Sequence, residues 1–281
     1  MHPVGIMQGR LSPMEGGRIQ SFPVGTWQEE FAKARQAGLA CIEWIYEAGT
    51  EQDNPLGSDA GIRAIRRIIG DSGVGVRSIC ADWFMAHRLI ETTGAVSEPA
   101  REMLIRLLDR AATLEVLYII LPFVDASSLR TVREREGMVR LLFDLVPHAE
   151  AAGVELHLET DLPPPMLHEV FSDLNHPLIR ANYDIGNSAS LGYDPGEEFA
   201  AIGRWLGSVH IKDRMRHGTT VPLGSGSADI PRCLGLIEST GFDRFFILQT
   251  ARVPGMDEVA LAIYNRHFIE TIWSCRTAQR A

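Results

Sequence analysis

Eight short apolar runs, spaced roughly 25 to 40 residues apart, constrain this chain more than any other feature. They are VGIMQG (4–9), CIEWIY (41–46), GVRSICA (75–81), VLYIILPF (116–123), VELHLET (154–160), IRANYDIG (179–186), SVHIKD (208–213) and FFILQT (245–250). Each is rich in β-branched or aromatic residues and too short for an ordinary helix, so each reads as a buried strand. Longer stretches with apolar residues at helical spacing separate them. WQEEFAKARQAG (27–38) stops at Gly38, MVRLLFDLVPHAEAAG (138–153) at Gly153 and ADIPRCLGLIESTG (228–241) at Gly241, glycine being a common helix stop. SEPAREMLIRLLDRAATL (97–114) opens with Ser97 as a candidate N-cap and a proline in the first turn.

Strand–helix alternation repeated eight times makes this an α/β chain with an all-parallel sheet, and eight units close most naturally into a (β/α)8 barrel. The chain has 281 residues, which would suggest two domains by length alone, but one such barrel uses about 250. No linker divides the sequence, so a single domain over 1–281 is expected. The other arrangement, an open doubly wound sheet, lacks a glycine-rich nucleotide motif after the first strand. PPP at 163–165 and the stretch 214–228 read as functional loops.

Composition narrows the class. The four cysteines are scattered without a pairing pattern, which fits a reducing, cytoplasmic setting, and Cys41 and Cys80 read as core residues. The N-terminal segment lacks the pattern of a secretory signal, and no apolar run approaches the roughly 20 residues needed to span a bilayer. A net charge of −9 argues against a nucleic-acid surface. A closed homo-oligomer, dimer or tetramer, is the expected assembly.

In a barrel of this kind the reactive groups stand where the strands end. The fifth run ends in Glu159, with His157 two residues earlier on the same face. The sixth contains Asp184, followed by Asn187. The seventh contains His210 and Lys212 and closes with Asp213 and Arg214, and the eighth ends in Gln249, with Arg252 just beyond. A lone carboxylate or histidine at a strand end is ordinarily structural, and His157 is read so. Four ligand-type residues (Glu159, Asp184, His210 and Gln249) on consecutive strands are different, because uncompensated charge in a barrel mouth is costly. Their mixed O/N donors suit a divalent Mn, Mg, Co or Zn ion.

At these residues the sequence resembles the xylose isomerase-like TIM barrel superfamily, within its sugar phosphate isomerase/epimerase group. GIMQGRLSP, IEW, SICADWFM, HLET, YDIGNS, HIKDR and VPLGSG carry the likeness, in order and over essentially the whole chain. The resemblance implies that Glu159, Asp184 and His210 are metal ligands and that Asn187 stands where relatives often have a substrate-contacting histidine. It also implies that Lys212, Arg214 and the loop to Gly226 line the pocket. Gln8 and Asp82 are further candidates for sugar hydroxyls; for Asp82 and Arg252 a structural ion pair competes with substrate binding. One departure stands out. Where two-glutamate epimerases end the eighth strand in a metal-binding glutamate, this chain has Gln249, whose amide can coordinate but cannot carry protons.

The expected function is therefore a metal-dependent isomerase or epimerase of a keto sugar or sugar derivative. Glu159 would remove the proton α to the carbonyl and Lys212 would assist at oxygen. A dehydratase of cyclic keto-polyols and a non-catalytic sugar-binding barrel are the alternatives, with DNA repair disfavoured by charge and by Asn187. In LGSGSAD (223–229) backbone N–H groups could cradle an anion, although a plain turn before a helix is the simpler reading.

Overall fold

The computed structural model describes residues 2–278; Met1 and residues 279–281 lie outside the described residues. All eight apolar runs form strands: β1 (Val4–Met7), β2 (Cys41–Ile45), β3 (Gly75–Cys80), β4 (Tyr118–Phe123), β5 (Glu155–Thr160), β6 (Ile179–Asp184), β7 (Leu206–Ile211) and β8 (Phe246–Leu248). They pair in parallel with their sequence neighbours, and β8 closes on β1 through Val4↔Phe246, Gly5↔Ile247 and Ile6↔Leu248. The result is the expected closed (β/α)8 barrel.

Strand alternation sorts side chains between two compartments. Residues such as Ile42, Trp44, Ile79, Ile119, Leu156 and Val209 are almost wholly buried in the layer between sheet and helices. Trp44 packs there within 5.5–6.5 Å of the rings of Phe22, Trp27 and Phe31, tying β2 to helix Glu29–Gln36. The inward positions are different in kind: Glu43, Ser78, His157, Glu159, Asn182, Asp184, Ser208 and His210 are all buried and polar. This polar filling converges on the mouth formed by the strands' C-terminal ends.

Helix ends depart from the sequence reading in three places. The helix expected from 138 begins at Val132, because Thr131 and Glu134 form a reciprocal capping box; the polar first turns carry no apolar period to betray it. Ser97 occupies the N-cap position of helix Glu98–Thr113, but its side chain makes no cap hydrogen bond. The PPP segment is not a loop. Pro163 is the N-cap and the next two prolines fill the first turn of helix Pro164–Leu174, where missing N–H groups cost nothing. Cys41 and Cys80 are buried as expected.

Candidate metal centre and active site

Glu159, Asp184 and His210 each offer a ligand atom, and these atoms lie within 4.8 Å of one another, all buried. Imidazole orientation decides whether this is a site. His210 Nε2 donates to Glu43 Oε1 at 2.7 Å, which leaves Nδ1 facing Glu159 Oε2 at 3.7 Å and Asp184 Oδ2 at 3.8 Å. A carboxylate gripping one ring nitrogen while the other faces two carboxylates is the arrangement that prepares histidine as a metal ligand. Glu43 is itself fixed by a 2.7 Å hydrogen bond from Ser78.

The electrostatics point the same way. Burial raises the Glu159 carboxyl by more than the charges of His210 and Lys212 pull it back, with smaller upward pushes from Asp184 and Asp82. Burial also opposes the charge on Asp184, but Lys212, His210 and the Asn187 N–H outweigh it and hold that carboxyl low. Burial by itself would lower His210; Glu43, Asp184 and Glu159 reverse the effect. Negative charge thus exceeds positive charge in a closed space, and an oxygen-and-nitrogen donor set of this kind fits a divalent cation.

Below the triad lies a second polar layer, two residues back along each strand. His157 Nδ1 is 2.8 Å from Ser208 Oγ, Ser208 donates to Asn182 Oδ1 at 2.7 Å, and Asn182 Nδ2 reaches Glu159 Oε2 and His210 Nδ1, each at 3.3 Å. His157 stacks on Tyr118 with centroids 4.1 Å apart and bonds Glu155 at 2.8 Å, so its structural reading holds.

Around the mouth the other expected residues take identifiable places. Asn187 Nδ2 donates to Glu159 Oε1 at 2.6 Å and its Oδ1 accepts from Arg214 at 2.9 Å, so Arg214 and Asn187 together orient Glu159. Lys212 Nζ bridges Asp184 Oδ2 at 3.2 Å and Gln249 Oε1 at 3.1 Å. Gly186 makes room for that lysine: a Cβ there would sit 2.7 Å from Lys212 Cγ. Gln8 Oε1 accepts from the Ile45 N–H, joining β1 to β2, and its amide nitrogen is buried without a partner. Asp82 accepts from Gln20 at 2.7 Å and Cys80 at 3.1 Å. Arg252 donates to the carbonyls of Ser12 and Gly9. Neither Asp82 nor Arg252 forms the ion pair weighed for it among the described residues.

Glu43, Asn182 and Gln20 were missed by the sequence reading. A charged residue inside the buried run CIEWI was a signal for Glu43, and period-two spacing from Asp184 was one for Asn182. Gln20 had none. It comes from the long loop after β1, and its amide spans the mouth, donating to Asp82 and accepting from Gln249 at 2.9 Å.

The LGSGSAD segment does cradle an anion, but one of the chain's own. Asp213, fully buried, accepts from the N–H groups of Gly224 at 2.9 Å, Gly226 at 2.8 Å and Ala228 at 3.1 Å. A Cβ on Gly226 would fall 2.1 Å from Asp213 Oδ1, so only glycine lets the loop wrap so closely.

Comparison with known proteins agrees with the barrel fold. A 2-epi-5-epi-valiolone 7-phosphate 2-epimerase of Actinoplanes sp. is 27% identical over 174 residues, a match spanning 60% of this chain and 62% of that relative. An L-ribulose 3-epimerase structure superposes with a TM-score of 0.73 at 19% identity, covering 100% of this chain and 99% of that one. A xylose isomerase-like TIM barrel protein from Mycobacterium smegmatis, in complex with magnesium, gives 0.68 at 19% identity, with 96% of each chain covered. No described helix is long and apolar enough to cross a membrane. Residues 31–270 match the family model itself, and the chain belongs to the xylose isomerase-like TIM barrel family.

Proposed function

We propose that this protein is a metal-dependent isomerase or epimerase of a keto sugar or sugar derivative, acting by proton removal α to the carbonyl. The observation that carries the reading is the convergence of Glu159, Asp184 and the Glu43-oriented His210 at the barrel mouth. These three would hold the ion, with Gln249 as a further neutral donor. A bound divalent cation would supply Lewis acidity at a carbonyl and the hydroxyl beside it.

The remaining work falls to the chain's own groups. Glu159 is the base: burial favours its taking a proton, while Asn187 fixes Oε1 and leaves Oε2 with a 3.3 Å contact from Asn182 and the His210 ring at 3.7 Å. Lys212 donates to the substrate oxygen on which negative charge develops, and Gln249 accepts from a hydroxyl. Isomerisation follows if Glu159 returns its proton to the adjacent carbon. Epimerisation needs a second proton carrier, and since Gln249 cannot serve, Lys212 takes that part. The names of the valiolone phosphate and ribulose relatives favour epimerisation.

The test is solvent exchange. Ketopentoses, ketohexoses, cyclic keto-polyols and their phosphates are incubated with manganese-loaded protein in D2O and followed by NMR, alongside metal analysis of the purified chain. We expect deuterium α to a carbonyl, falling by about 10²–10⁴-fold in Glu159→Gln. Water loss in place of an isomer would establish the dehydratase instead. A chain that retains no divalent metal and exchanges no substrate proton would end the enzymatic reading.

A further inference from the structure

A cavity of about 440 Å³ lies beside the mouth, between the loops after β1, β7 and β8 and the first turns of helix Glu258–Ala278. Its walls carry two guanidinium groups, Arg10 and Arg252, among apolar side chains such as Met14, Ile19 and Met256. What sets it apart is charge without a partner. Arg10 is buried and donates only to the carbonyls of Thr250 and Ile19 and the amide oxygen of Gln20. Arg252 donates only to the Ser12 and Gly9 carbonyls, and its Nε is buried with no acceptor. Among the described residues neither forms an ion pair.

Nearby carboxylates do not fill the gap. Glu30 is committed to the N–H groups of Gly9 and Leu11, at 3.0 and 3.1 Å, and Asp82 to Gln20 and Cys80. Glu258 also lines the cavity, leaving two positive groups against one negative. Burial, followed by the like charge of Arg252, pulls Arg10 down to about 10. A buried and a half-buried cation that hold only neutral oxygens invite an anion.

From this geometry we infer that the cavity is an anion subsite receiving the phosphate of a phosphorylated substrate whose carbonyl end sits at the metal centre. Location supports the link. Gln20 Oε1 accepts from both Arg10 and Gln249, so one side chain separates the cavity from the mouth. The volume accommodates a phosphate and part of a carbon chain. Loops after the last two strands are a recurrent place for phosphate in barrels of this architecture. The inference deepens the proposed function and rests on it for the substrate, but not for the anion.

Isothermal titration of the full-length protein with inorganic phosphate, at ionic strength held constant with chloride, tests the anion directly. One phosphate per chain is expected, at least tenfold weaker in Arg252→Met and several-fold tighter in Glu258→Gln. The second variant decides the matter if the first does not fold. A keto sugar and its terminal phosphate ester, D-fructose and D-fructose 6-phosphate, then test the link, the ester binding at least tenfold tighter. Phosphate binding no stronger than chloride, or unchanged by the folded variants, overturns the subsite; equal affinity for sugar and ester overturns its assignment to substrate. Phosphate binding without any α-proton exchange would leave the subsite and remove the proposed activity, and exchange without phosphate binding would do the reverse.

Discussion

Replacing Glu43 by glutamine separates the support of a metal ligand from the packing of the core. Glu43 has no exposed surface, and its two oxygens accept from His210 Nε2 and Ser78 Oγ, both at 2.7 Å. Glutamine keeps the shape. Its carbonyl oxygen retains the imidazole proton, and its amide donates to Ser78 Oγ once that hydroxyl turns. What disappears is the charge. A hydrogen bond to a charged group is worth about 1.5–3 kcal/mol and a neutral one about 0.5–1.5, so roughly 1 kcal/mol or more is lost in holding the ring. Loss of a carboxylate behind a ligating histidine typically costs 10–100-fold in metal affinity, or about 1.4–2.7 kcal/mol.

Glu43→Gln should therefore weaken Mn²⁺ binding by one to two decades in a chelator competition while lowering metal-free stability by no more than about 1–2 kcal/mol. Glu43→Ala should do both kinds of damage. It strands the His210 and Ser78 donors in a closed core, at about 1–3 kcal/mol each, and leaves a cavity as well. The reasoning fails if Glu43→Gln binds manganese within threefold of the wild type while Glu43→Ala unfolds. Glu43 would then be a packing group, and His210 would owe its orientation to something else.

Two other expectations concern the scaffold. Asp213→Asn turns one acceptor into a donor against three backbone N–H groups, which should cost about 1–3 kcal/mol in urea unfolding and speed proteolysis within 214–228; unchanged cleavage would show that the loop stands without its anchor. At the opposite end of the barrel, burial raises Glu155, but bonds and charge from His157 and Arg244 outweigh it and hold the carboxyl at about 2. Its contribution is present above the ordinary carboxyl range and is lost as pH falls from about 4.5 through 2. Because the group is partly open to solvent, the screened contribution is no more than about 1–2 kcal/mol, so Arg244→Met should destabilise by that amount at pH 7 and by little at pH 2–3. A difference independent of pH in denaturation curves would contradict it.

How far the sequence disclosed this molecule depends on the range of each interaction. Strands were legible because their signal is local: a short apolar run keeps its meaning wherever it is placed. The triad was legible because Glu159, Asp184 and His210 end strands that are consecutive in the chain. Asn182 and Ser208 follow from the same alternation, two positions below. Glu43 is another matter, since its partner His210 lies 167 residues away and meets it only across the closed barrel. Gln20 lies farther still from its partner, 229 residues from Gln249, in a loop whose composition says nothing of where it will fall. Helix Val132–Ala152 was shortened in the sequence reading because capping chemistry, not periodicity, sets its start.

Gln249 gathers these points into one consequence for mechanism. A glutamate there would add a negative charge to a mouth in which Glu43, Asp82, Glu159 and Asp184 already crowd together. The amide avoids that repulsion and leaves Lys212 shared between one carboxylate and one neutral oxygen. The same amide that cannot serve as a second base thus leaves Lys212 as the group beside Glu159 that can carry a proton. The proposed catalysis by Glu159 and Lys212 is therefore asymmetric, with Gln249 placed as a hydroxyl acceptor and as a neutral neighbour of the lysine.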